Sequence, residues 1–149
     1  MEPITSLIIH AENHSESNSI QKQGMIRGRR FYIKKQDPDP FSMLFGAMFG
    51  GDIVNPHLDA YLEVFPYERY HHDAEVADST YDFRDSLKTA PGGVTFFGEL
   101  SLNGKILPGD FVGFDTAHSD TSGMSLESCI KALIAMAYEI EEKEDKNDY

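Results

Sequence analysis

The most regular pattern of apolar and polar positions lies between residues 92 and 142. Val94 to Leu102 and Lys105 to Phe114 are apolar-rich runs separated by Asn103-Gly104. Both central positions of a type I′ turn need positive φ, which Asn and Gly tolerate, so the spacing predicts an antiparallel hairpin. Pro108-Gly109 predicts a bulge or a second turn within its second strand. Further on, Leu126, Ile130, Leu133, Ile134, Ala137 and Ile140 recur at helical spacing, while Glu127, Lys131, Glu139 and Glu142 fall mostly on other faces. That pattern predicts an amphipathic helix over Ser125 to Glu142, with Ser125 as its N-cap. The charged end from Glu141 is expected to fray, leaving 143–149 as a flexible acidic tail.

Upstream the signals are shorter. Ile4 to His10 reads as a strand, Ala11 to Gln23 as a polar loop rich in turn formers, and Met25 to Lys35 as one further strand. The prolines of Asp37-Pro38-Asp39-Pro40 break regular structure over residues 36–40. Phe41 to Phe49 is apolar on nearly all sides and reads as a short helix stopped by Gly50-Gly51; the domain or a second subunit must cover it, and a homodimer is expected. Ala60 to Phe65 alternates as a strand ended by Pro66. Tyr67 to Asp73 reads as a surface loop, and Ala74 to Thr89 as a polar stretch anchored by Tyr81, Phe83 and Leu87. Together these elements predict one α+β domain over residues 1–142, a single mainly antiparallel β-sheet with the C-terminal amphipathic helix packed on one face.

At 149 residues the chain is long enough for a core of its own. Its net charge of −12 is uneven: residues 1–35 hold six Lys/Arg against three Asp/Glu, and the remainder seven against twenty-two. An acidic body of this kind repels nucleic-acid phosphates and anionic membranes and favours basic partners or bound cations; the plainer use of the charge is solubility. Direct nucleic-acid binding is disfavoured except through Arg27 to Lys35, where the basic residues more simply protect a strand edge. No apolar run approaches the roughly 20 residues of a membrane span. The N-terminus lacks a secretion-signal pattern. Cys129, the sole cysteine, cannot make an internal disulfide and reads as a small core residue. A cytoplasmic protein is expected.

Candidate chemistry gathers at the hairpin's open end, where Gly92, Gly93 and Thr95 enter and Asp115, Thr116, His118 and Asp120 leave. Glycines there allow a ligand or another backbone to come close. Asp115, His118 and Asp120 are also candidate metal ligands; the alternative is a hydrogen-bonded turn in which Asp115 and Thr116 bond local N–H groups. His71 and His72 lie in the densest polar cluster and offer a metal or anion contact, though adjacent histidines reach one ion only from a loop. No cofactor is expected. The chain has no Gly-rich phosphate loop ending in Lys-Ser/Thr, no cysteine pair for zinc and no Gly-x-Ser-x-Gly elbow.

Gly92-Gly93-Val94-Thr95-Phe96-Phe97-Gly98, followed by Gly113-Phe114-Asp115-Thr116-Ala117-His118 and a C-terminal helix, resembles a family of small proteins encoded by bacteriophages and prophages. The resemblance covers about residues 91–142. Pro91 stands where the family usually has His, and Phe111-Val112 replaces an aromatic pair. The resemblance implies a phage or mobile-element accessory protein in a bacterial host cytoplasm and carries no activity with it. Three function classes follow: a non-enzymatic protein that binds and inhibits a host defence factor, by its acidic surface or by sequestering a small nucleotide; a metal-dependent hydrolase using Asp115, His118 and Asp120; and a virion or assembly component.

Overall fold

The computed structural model of the chain describes residues 18–36, 57–77, 83–117 and 123–145. Among these, the elements run β1 (Asn18–Ile26), β2 (Arg29–Gln36), β3 (His57–Val64), α1 (Arg69–Glu75), β4 (Phe96–Leu102), β5 (Lys105–Asp115) and α2 (Leu126–Asp145). The five strands form one sheet in the order β1-β2-β3-β5-β4, with every neighbouring pair antiparallel. The fold is α+β, as the pattern predicts.

Strand alternation gives the sheet two different faces. Phe31, Ile33, Ala60, Leu62, Val64, Val112 and Phe114 point into one core together with Cys129, Leu133, Met136, Ala137 and Ile140 of α2. Complete burial of each large apolar side chain stabilises the fold by about 1.5–3 kcal/mol. Helix α2 lies over β1, β2 and β3, and α1 packs on α2. A second cluster, centred on Tyr32, Tyr61, Leu100, Leu102, Leu107 and Phe111, forms separately from the helix-backed core. Along β3 the alternation is plain: Leu58, Ala60, Leu62 and Val64 belong to the helix-backed core, so His57, Asp59, Tyr61 and Glu63 take the other face.

The β4–β5 hairpin forms as expected. Asn103 and Gly104 have φ of 52° and 78°, as a type I′ turn requires. The register jumps between Glu99↔Asp110 and Ser101↔Ile106, so Pro108-Gly109 sits in a bulge. Helix α2 starts where expected, with the Ser128 amide donating to Ser125 Oγ at 3.0 Å.

Several boundaries are corrected. The segment 11–23 is not all loop, because Asn18 to Gln23 pair with β2; their polarity suits an edge strand. Met25 to Lys35 is not one strand, since Arg27-Gly28 turns the chain between β1 and β2 with φ of 50° and 81°. Arg27, forced into the left-handed region, is held by Glu141, whose Oε1 accepts from Arg27 Nη2 at 3.1 Å, and by the Tyr138 ring 4.1 Å away. Tyr67 to Asp73 is not a loop, because α1 begins at Arg69 and buries Tyr70, His71 and Ala74. The tail does not begin at residue 143: α2 runs to Asp145, and Glu139 and Glu144 on it are engaged. Glu139 accepts from the Lys88 and Thr89 amides at 2.9 Å each, and Glu144 from the Arg69 amide. Leu87 is buried and Phe83 packs on the core. The expected strand at 4–10, the helix at 41–49, the homodimer contact placed on it, and Tyr81 lie outside the described residues.

Candidate functional site

Strand pairing builds a site at one end of the face opposite α2. Asp59 on β3 stands opposite Asp115 on β5, and Tyr61 opposite Gly113. Neighbouring β4 brings Phe96 opposite Gly113 from the other side. With no side chain at Gly113, the Tyr61 ring lies across that position and meets Phe96 edge to face, with centroids 5.2 Å apart. A Cβ at Gly113 would sit 2.8 Å from both the Tyr61 ring and the Ala60 carbonyl oxygen. The two carboxylates, Tyr61 and Phe96, joined by His57 and Thr95, line a cavity of about 330 Å³.

The electrostatics follow from burial. Asp59 holds its proton more tightly than an ordinary aspartate, first because it is buried; His57 and Lys34 oppose the shift, and Asp115 adds to it. Burial also pushes the Tyr61 phenol upward, with both aspartates adding to the shift, so it stays a neutral donor. His57 Nε2 lies 3.2 Å from Asp59 Oδ1, near enough for an ion pair but not aligned as a hydrogen bond. Lys34 Nζ sits 5.7 Å from the Tyr61 ring centre, a distance at which the ring face attracts its charge. The arrangement offers two charge-bearing acceptors, a phenol donor and an aromatic wall.

The residues singled out from the sequence divide. Thr95 and Asp115 share the cavity. Asp115 Oδ1 also accepts from the Ala117 amide at 3.1 Å, which is the Asp115 bond of the expected turn. Thr116 is buried and extends the sheet: its amide donates to Leu58 O at 2.9 Å, and its Oγ1 accepts from Leu58 N at 2.8 Å. Gly92 and Gly93 close on the Arg84 segment instead, where Arg84 Nη2 donates to Gly92 O at 2.8 Å. Gly93 has a φ of +93°, and a Cβ there would stand 3.1 Å from Arg84 O. His118 and Asp120 lie outside the described residues.

His71 and His72 part company on α1, His71 buried and His72 exposed. His71 lies between two carboxylates, with Nδ1 2.9 Å from Glu75 Oε1 and Nε2 2.7 Å from Asp110 Oδ2. Among the described residues, no group of three or more His, Cys, Asp or Glu is arranged to hold a metal ion. No described helix is long and apolar enough to cross a membrane.

Sequence reasoning missed His57, Asp59 and Tyr61. Their signal was the odd-numbered alternation in residues 57–63, which sets ionisable and aromatic groups on one face of a strand whose other face is apolar.

Comparison with protein-family models, curated proteins and solved structures finds no match to this chain.

Proposed function

We infer that the protein acts by binding rather than catalysis, as a small accessory protein of a phage or mobile element that engages and inhibits a basic host protein. The cavity at the Thr95 and Asp115 end of the sheet is the seat for a cationic side chain of that partner. One observation carries this reading: Asp59 and Asp115 face each other beside the Tyr61 and Phe96 rings, around a cavity of about 330 Å³. Paired carboxylates recognise an ammonium or guanidinium group, and aromatic faces attract the same charge. The same carboxylates repel phosphate, which favours a basic protein over a sequestered nucleotide. The acidic balance of residues 36–149 supports approach of such a partner, and the resemblance of residues 91–142 to small phage proteins supports the biological setting.

Affinity capture from host lysate with wild type and the Asp59→Asn/Asp115→Asn variant tests the reading. A basic protein retained by wild type and lost by the folded variant supports it. Equal retention by both, or release of a nucleotide from purified wild type, refutes it.

A further inference from the structure

Away from the cavity, one buried ionisable side chain has surroundings that the binding role does not use. The His71 side chain is 7% exposed, and each ring nitrogen meets a carboxylate oxygen, from Glu75 on α1 itself and from Asp110 on β5. An ionised carboxylate only accepts hydrogen bonds, so meeting both at once takes two ring N–H donors, which only the imidazolium has. A third acid bears on the same spot: Glu99 on β4 is the register partner of Asp110. Like charges directly opposite one another destabilise a strand pair, and a cation beside them offsets that cost. The Phe97 ring of β4 meets His71 edge to face with centroids 5.1 Å apart, Arg69 on α1 faces Asp73 at 3.6 Å, and Glu144 of α2 takes the Arg69 amide.

We propose that His71 is a proton-dependent latch that ties α1 to β5 in its charged form and releases that tie when the ring loses a proton. The neutral ring keeps one N–H and turns a lone pair toward the other carboxylate, so one hydrogen bond becomes a repulsion and Asp110, opposite Glu99 in the register, loses its counter-charge. The sign follows from the hydrogen-bond count: the doubly protonated ring donates to both carboxylates and the neutral ring to one, so docking is tighter in the protonated form. Opening is local, because α1 is also held by Tyr70 and Ala74 in the core. The latch stands on different residues from the cation seat, and its test is independent of any partner.

The test uses the full wild-type chain. Imidazole ¹⁵N spectra report the protonation of each ring nitrogen, and amide hydrogen exchange, corrected for intrinsic rates, reports α1 protection over about pH 6 to about pH 8.5, around and above the ordinary histidine value of roughly 6.5. The expected result is two N–H signals from the His71 ring at the low end, and α1 protection that falls by about tenfold or more as the second proton is lost, the scale of one charge-assisted hydrogen bond. In His71→Gln the α1 protection no longer varies with pH. A singly protonated ring throughout, or α1 protection that does not change with pH in wild type, overturns the latch, and the wild-type measurements decide it even where the variant fails to fold.

Discussion

Asp59 and Asp115 come from strands separated in the chain by α1 and β4, yet they stand directly opposite each other on the face away from α2. A pair of like charges at facing positions costs stability unless something compensates it. His57 and Lys34 compensate in part, and the Asp59 carboxyl is still shifted toward its protonated form. A site that spends stability in this way supports the binding role proposed for this face of the sheet.

The stability cost can be measured. Between the ordinary aspartate value of 3.8 and its raised value in the folded chain, the folded state binds more protons than the unfolded state. Stability therefore falls as pH rises through that window, and the full penalty applies above it. Asp59→Asn should raise the melting temperature at neutral pH and flatten this part of the pH profile. A lower melting temperature in the variant at neutral pH would contradict the sign.

Gly113 provides the space that Tyr61 occupies. Gly113→Ala forces a Cβ against the Ala60 carbonyl and the Tyr61 ring. The expected loss is about 1–3 kcal/mol by urea denaturation, the range for overpacking a buried position. Gly104→Ala, in the open hairpin turn with φ of +78° and no neighbour within 4 Å, should cost only about 1 kcal/mol, from backbone strain. The reverse ranking would show that Tyr61 does not depend on the missing side chain.

The buried Arg29–Glu68 pair fixes the entry to α1. Its nitrogens and oxygens meet at 2.6 and 2.5 Å, and Glu68 Oε1 also accepts from the Phe65 amide at 2.8 Å. Glu68→Ala leaves a buried guanidinium without its partner and should cost about 3–5 kcal/mol, whereas Arg29→Met with Glu68→Leu should recover much of that loss. Equal losses in the single and double variants would mean that packing, not the orphaned charge, sets the penalty.

Local signals made part of this structure legible. Asn103-Gly104, the Ser125 cap and the helical spacing of Leu133, Ala137 and Ile140 each depend on nearby residues alone, and each appears in place. Arg27-Gly28 was illegible because Arg is no turn former; the turn is held by Glu141, 114 residues away. Helix α1 was illegible because seven residues carry little periodic signal, and its position depends on burial of Tyr70 and Ala74 and on the Arg29–Glu68 pair. Part of the cavity was visible as Thr95 and Asp115. The rest required knowing that β5 lies between β3 and β4, which no short-range pattern encodes.

The cation seat is tested most directly by titrating ¹⁵N,¹³C-labelled protein with the neutral-ended monocation N-acetyl-arginine amide and following every aromatic and amide resonance. The account predicts saturable shifts centred on Tyr61, Phe96 and Thr95, weakened by added salt because charge contributes to binding, and abolished in Asp59→Asn/Asp115→Asn. Shifts spread along the acidic face of α2 with none at Tyr61 or Phe96, or an unchanged titration in the double variant, would contradict it.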